Sequence, residues 1–491
     1  MCAAFAAAYG VGAVLAENQN SYLLHAAARA HWGHLDRDWT AGTADAFPVF
    51  TTLATPLLRL PTLVALGGAQ LLAIAVYAWA LAAIVRTTFR WRDDDPALAA
   101  TAVALLIWHS RLLASTSMRA VGVDARALLV DGVASQYLLG RVLQPSVGGI
   151  LLLVSICAFL RGRPFAAVVC SSLAATMHAT YLMSAALLTV SYAVLSARAG
   201  HRGRALAIAA ASLAFVSPAV TYATATFRPT DVQIFQRAAH VLADDRIALH
   251  ARVATWFGAA ATFKVVVCAA AIWVARRHPV FWLLLPAFLV GLVGSLLLAA
   301  FPNPVLALQF PWRVSVWLVP ISIALLSGSA IEWLIRRGLA VDRLRRPGLV
   351  VATLLVVYGI AGSVREARAV DRRPDAPLLA HVASANSAGD VYLIPPEMED
   401  FRLRTRAPIV VDAKTHPFKD VEVLQWSERL QRARAFYAEA NDEARCVRLR
   451  EIAQRDGATH VVVSAARPIV GCGGVDRVYA DEAFAVFRIA R

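Results

Sequence analysis

The chain has 491 residues, 58% of them hydrophobic, and a mean hydropathy of +0.57. Soluble domains lie at about 45–50% apolar, so lipid is the solvent for most of this chain and an ordinary water-soluble enzyme is excluded. The net charge of +15 does not mark a nucleic-acid binder: residues 365–491 hold 20 basic and 19 acidic side chains, and the excess of charge lies among the apolar runs.

A membrane-spanning helix needs roughly 20 apolar residues. In chain order the candidate segments are 2–16, 61–85, 97–114, 146–160, 164–178, 180–197, 205–224, 253–275, 279–300, 312–335 and 347–364. Fifteen basic residues fall in five short loops, at 86–92, 161–163, 198–204, 276–277 and 336–346. Arg-rich loops stay on the cytoplasmic side, and alternation through eleven segments then puts the N-terminus inside and the tail outside. The first segment has about fifteen residues and no basic flank, so it is a poor signal peptide and reads either as a short first span or as the result of a misplaced start codon. The pair 164–178 and 180–197 meets at His178-Ala179-Thr180-Tyr181 and can alternatively be one long bent helix.

The outward loops carry the polar sequence. Residues 17–60 form the first, and 115–145 the second, with Leu128, Leu129, Val133, Tyr137, Leu138 and Arg141 at the spacing of an amphipathic surface helix. Residues 225–252 form the third and 301–311 a Pro-rich fourth. The tail alternates strand-like runs (390–394, 408–412, 459–464, 484–489) with helix-like runs (377–387, 420–438, 441–455), and GCGG at 471–474 reads as a turn. The expected architecture is a polytopic α-helical membrane protein of about eleven transmembrane helices, residues 1–364. A small periplasmic α/β domain, residues 365–491, follows it at the outer face of a bacterial inner membrane. Of six cysteines, with no CxxC spacing, Cys446 and Cys472 are the two in the tail, and an oxidising compartment predicts that they pair.

The first outward loop holds Glu17-Asn18-Gln19-Asn20, then His31, His34, Asp36, Asp38 and Trp39. A carboxylate at the lipid–water boundary can act as general base toward a hydroxyl or hold a divalent metal; two acids on a solvated loop are the plainer alternative. Arg313, in Gln309-Phe310-Pro311-Trp312-Arg313, opens a spanning helix. Such an arginine either snorkels to the interface or grips a phosphate with its planar fork. Arg119, Arg126 and Arg141 can add to a phosphate site, and His178 is either a functional intramembrane group or a helix–helix hydrogen bonder. Lys264 lies midway along 253–275.

The run ENQNSYLLHAAARAHWGHLDRDWTAGTADAFPVFTTLATPLL resembles the start of the GT-C superfamily of polyprenyl-phosphate-sugar-dependent membrane glycosyltransferases. It is similar in particular to a bacterial branch known by a domain-of-unknown-function label. MHATYL, QFPWR and PPEMEDFRLRTRAPIVVDAKTHPF are similar to that branch too. The resemblance implies a GT-C-like fold and an acidic catalytic residue in the first external loop, a position that Asp38, or Asp36, matches. It implies donor phosphate held by basic residues near the outer face, which Arg313 can supply; the expected substrate-binding set is Arg313, Gln309, His178, Arg119, Arg141, Glu17 and Gln19. The loop has Asp-Arg-Asp where the superfamily pattern has adjacent acids. The expected partners are a polyprenyl-phosphate-linked sugar, membrane lipid and a glycan or lipid acceptor, with no nucleic acid. No cofactor is firmly implied, and a divalent metal is left open. The rival expectation is a non-catalytic transporter or assembly partner for envelope polysaccharide, which would place ionisable residues at mid-membrane in broken helices.

Overall fold

The computed structural model describes residues 1–490, apart from the side chains of Leu63 and Asp342. The chain forms two compact units. One comprises Met1–Gly12, Gly67–Tyr222 and Ile247–Arg365; the other comprises Ala13–Leu66, Ala223–Arg246 and the chain from Glu366 onward. The second unit therefore contains the first and third polar loops as well as the tail.

All eleven apolar segments contain a helix. Among the described residues six helices are long and apolar enough to cross a bilayer alone: Val64–Phe89, Ala179–Arg198, Arg202–Thr226, Val280–Ala300, Pro304–Arg336 and Arg343–Val370. Pro96–His109 and Arg111–Val121, bent by 50°, add a seventh if they are one span. Pro145–Leu160, Pro164–Met177 and Ala259–Val274 are apolar but shorter. The segment expected at 2–16 is helical only over Cys2–Tyr9, because Gly10 turns the chain at φ 77°.

Burial inside this unit follows helix geometry. Val280–Ala300 buries Val280, Leu283, Leu284, Ala287, Gly291, Ser295 and Leu298, an i, i+3, i+4 stripe. Its other faces expose Leu289, Val293, Leu296 and Leu297, a surface suited to lipid rather than water. Residues 316–325 of Ser315–Arg336 are buried on every side, which makes this the central helix. Polar pairs join the helices, among them Tyr77 to His109 at 2.9 Å, Ser155 to Tyr192 at 2.8 Å and Trp317 to Ser184 at 3.1 Å. The second outward loop departs from expectation. Helix covers 115–121, as the end of Arg111–Val121, and Ala125–Val130, but from Asp131 on the chain runs irregularly with Val133, Ala134, Leu138, Leu139 and Val142 buried. Packing against this unit has replaced the helical hydrogen bonds that an amphipathic surface helix would have kept.

The second unit is built on a four-stranded sheet, β1 (Tyr392–Leu393), β2 (His460–Ser464), β3 (Val475–Ala480) and β4 (Phe484–Ile489), in the order β1-β2-β4-β3. β1 is parallel to β2, and the other pairings are antiparallel. Val461, Val463, Ala485, Phe487 and Ile489 face Trp426, Leu430, Phe436, Leu449 and Ile452 of the helices Asp420–Ala438 and Asp442–Asp456. Val462 and Val486 face Leu378, Leu379 and Val382 of Ala376–Ala385. Both faces are covered, which is why β2 reads as an unbroken apolar run. Cys446 and Cys472 form a disulfide with a Cα–Cα distance of 5.6 Å.

Two strand expectations change. Residues 408–412 make only an isolated bridge, Tyr392 to Ile409, because side chains take over the backbone groups that a ladder would use. β3 was not legible because it is an exposed edge without apolar alternation.

The loops are anchored to this sheet unit. Thr230 donates from N and Oγ1 to Asp420 at 2.7 and 2.8 Å, Arg246 donates to the Lys414 carbonyl at 2.6 and 2.9 Å, and Ala44 N donates to Glu422 at 3.2 Å.

Candidate functional site

In the membrane unit, helix Pro164–Met177 ends at His178, whose Nδ1 lies 2.9 Å from Thr180 Oγ1 and accepts from Thr180 N at 3.4 Å. A short 3-10 turn, Ala179–Tyr181, starts the next helix, so the pair is two helices rather than one bent one. The turn seats Tyr181, fully buried, with its hydroxyl donating to the Ser146 carbonyl at 2.8 Å. Gly149 makes room for the ring: a Cβ there would lie 2.5 Å from Tyr181 Cζ.

Arg313 meets Tyr181 from the other side. Phe310 takes φ 48°, uncommon for a bulky residue, and reverses the chain into the 3-10 turn Pro311–Val314. The Arg313 guanidinium then lies 5.2 Å from the Tyr181 ring centroid, a cation–π distance, with Nη2 3.5 Å from the hydroxyl. The His178 ring lies 5.6 Å from Tyr181 on the same ladder. Arg313 Nε and the neighbouring Trp312 Nε1 are buried donors without an acceptor among the described residues. No carboxylate among those residues forms a salt bridge with Arg313, so its charge is uncompensated by a side-chain anion. Trp312 also lines an apolar cleft of about 470 Å³ with Trp256, Phe288, Gly291, Val314 and Leu318.

His178 and Arg313 are thus brought together, through a tyrosine that sequence reading quoted in MHATYL without singling it out. Gln309 and Arg119 are exposed and Arg141 is half-buried. Lys264 is buried in the cleft wall and donates to the Gly132 carbonyl at 2.7 Å.

In the sheet unit, Asp38 has a different role from the expected one. It is 2% exposed and accepts four hydrogen bonds. Oδ1 takes those of Thr40 N and Ala41 N at 2.9 and 3.3 Å; Oδ2 takes those of Arg402 Nε and Ile409 N at 2.9 and 3.0 Å. Arg402, 1% exposed, donates from Nη1 to Asp412 Oδ2 at 2.7 Å. Asp412 Oδ1 receives Lys414 N and Thr415 N at 2.8 and 2.5 Å. Burial raises the Asp412 carboxyl above its ordinary range against the opposing pull of Arg402. An acid whose four acceptor sites are filled by donors has no lone pair for a substrate proton, so Asp38 is a structural tether and not a general base. Gly33 helps by letting the loop lie against the Arg406 carbonyl, which a Cβ would approach to 2.5 Å.

Asp36 is exposed on the 3-10 turn Leu35–Arg37, Glu17 is half-buried at φ 53°, and Gln19 is buried with Oε1 accepting from Leu15 N at 2.7 Å. His31 is exposed and His34 half-buried. Among the described residues no three His, Cys, Asp or Glu side chains stand together as a metal-holding group, so no residue is assigned to a metal.

A family model described as a domain of unknown function (DUF6798) matches residues 376–433, the stretch that contains Arg402 and Asp412. No curated protein matches the chain. Among solved structures it is similar to ArnT from Cupriavidus metallidurans, a crystal structure bound to undecaprenyl phosphate. The identity is 13% and the TM-score 0.51, over 99% of this chain and 95% of that one. At that identity the likeness is one of fold: a polytopic helical membrane protein with an ArnT-like arrangement and a small sheet in its C-terminal region.

Proposed function

We propose that this protein is a membrane glycosyltransferase that takes a sugar from a polyprenyl-phosphate donor and passes it to an envelope glycan or lipid at the outer face of the inner membrane. The observation that carries this reading is Arg313: a guanidinium without a carboxylate partner among the described residues, stacked on Tyr181, with a buried Nε donor facing no protein acceptor. Arg313 is half-buried, but a shielded guanidinium N–H with no acceptor is costly, and an anionic ligand relieves it. The neighbouring apolar cleft supports a lipid-borne ligand, and ArnT, similar in fold, was crystallised with undecaprenyl phosphate.

In the reaction, the acceptor hydroxyl oxygen bonds to the anomeric carbon as the bond from that carbon to the phosphate oxygen breaks. The electron pair stays on the phosphate, where Arg313 stabilises the developing charge. The hydroxyl proton passes to a carboxylate.

The test is transfer of radiolabelled sugar from a synthetic polyprenyl-phosphate donor to extracted envelope acceptors, using the full chain in vesicles. Arg313→Ala should lower the rate by about 100-fold or more and Arg313→Lys less, with the melting temperature of each unchanged. Full activity in Arg313→Ala refutes the assignment. The second reading, a transporter or assembly partner, draws on Lys264, the buried ionisable residue of the cleft wall. It is favoured instead if vesicles move the lipid-linked sugar across the bilayer with no transfer and Lys264→Met stops the movement.

A further inference from the structure

A second cavity, of about 580 Å³, lies wholly within the sheet unit. It is enclosed by the first polar loop, by Arg246 and by residues 415–418, and the proposed reaction makes no use of it. A cavity that combines aromatic walls with a few convergent polar groups is a candidate ligand site.

One wall is aromatic. Tyr22 meets Phe47 edge-on at 5.0 Å, Phe47 meets Phe418 edge-on at 5.3 Å, and the His416 ring lies 5.0 Å from Phe418. These contacts hold the rings in place, while Phe418 keeps 40% of its surface exposed. The rest of the lining is hydroxyl-rich: Ser21, Thr40, Thr43 and Thr415.

The titratable groups around the cavity are held neutral or already have protein partners. Burial pushes His416 down to about 3, so the ring is neutral; its Nδ1 donates to the Lys414 carbonyl at 3.2 Å, which leaves Nε2 an acceptor. Burial lowers His25 as well. Arg246 spends Nε and Nη2 on the Lys414 carbonyl, and the Asp45 carboxylate on the lining is paired with Arg29 at 3.1 Å and accepts from Phe47 N at 2.9 Å.

Aromatic faces beside groups that both donate and accept suit a pyranose ring, whose C–H face stacks while its hydroxyls act as donors and acceptors. We infer that the cavity between the first polar loop and residues 415–418 binds an uncharged saccharide, with Phe418 as its stacking platform. This inference stands apart from the transferase reading, since it uses neither Arg313 nor any catalytic carboxylate.

The experiment is saturation-transfer NMR on the full chain in lipid nanodiscs, with methyl glucoside, methyl mannoside, methyl galactoside and methyl N-acetylglucosaminide as probes at millimolar concentration. At least one should show transfer to its ring C–H protons. Phe418→Ala should weaken that binding about five- to tenfold, Phe418→Trp should keep it, and Thr43→Val should weaken it less. Arg313→Ala should leave the signal intact, so failure here and failure of the transferase reading are told apart. The inference is overturned by no signal from any probe, by equal signals in Phe418→Ala and the parent, by displacement with an equal concentration of inorganic phosphate, or by loss of the signal in Arg313→Ala.

Discussion

Asp38→Asn separates a structural carboxylate from a catalytic one. A catalytic acid replaced by its amide leaves the fold intact, but Asp38 has four partners, and all four are N–H donors: Thr40 N, Ala41 N, Arg402 Nε and Ile409 N. An amide presents one oxygen and one NH2, so whichever way it is turned, two of those donors face another donor. The Arg402 charge is left with Asp412 alone, in a place where all three side chains are 0–1% exposed. Breaking a buried pair from one side costs about 3–5 kcal/mol. For a unit of this size that is a fall in melting temperature of roughly 6–20 °C. Arg402→Met, which strands two buried carboxylates, should cost at least as much, and the double variant less than the sum of the two. Thermal melts of the purified full chain with limited proteolysis of the sheet unit provide the measurement. A melting temperature within about 1 °C of the parent, with proteolysis unchanged, refutes the assignment of Asp38 as a tether.

Three other outcomes follow from the same unit. The unfolded chain protonates His416 near the ordinary 6.5 while the folded chain holds it at about 3, so stability is complete above about 6.5 and falls as the pH drops toward 3. At pH 5 the loss from His416 is about 2 kcal/mol; denaturant melts at pH 7 and pH 5 should show it, His416→Gln should flatten it, and equal stability at the two pH values refutes it. The disulfide closes a loop of 26 residues, so reduction, or Cys446→Ser with Cys472→Ser, should cost about 3 kcal/mol, and a maleimide should label these thiols only after reduction. The alternation of Arg-rich loops predicts a periplasmic tail, so an alkaline phosphatase fused after Arg491 should be active, and a cytoplasmic signal overturns that topology.

Much of the fold is local and was legible. Apolar length marks helices wherever lipid is the solvent, and the eleven segments each contain one. Short unbroken apolar runs such as His460–Ser464 and Phe484–Ile489 identify strands because successive side chains fill both covered faces of the sheet. The pairing of Cys446 with Cys472 needed only their shared position in the tail. The turn at Gly10 and the short length of the first helix were less legible, since an apolar run does not reveal where backbone hydrogen bonds stop.

The site was less legible, for a physical reason. Residue type and spacing singled out Arg313 and His178 as candidates, but Tyr181, the ring between them, is visible only once Gly149 and the turn at Phe310 have brought the chain together. Asp38 is the clearest case. By itself the sequence determined that an acid follows the first helix in a polar loop, and nothing within that loop distinguishes a reactive carboxylate from a tether. Only the tertiary structure decided it, because Arg402 and Ile409, the partners that fill its lone pairs, stand 364 and 371 residues away along the chain.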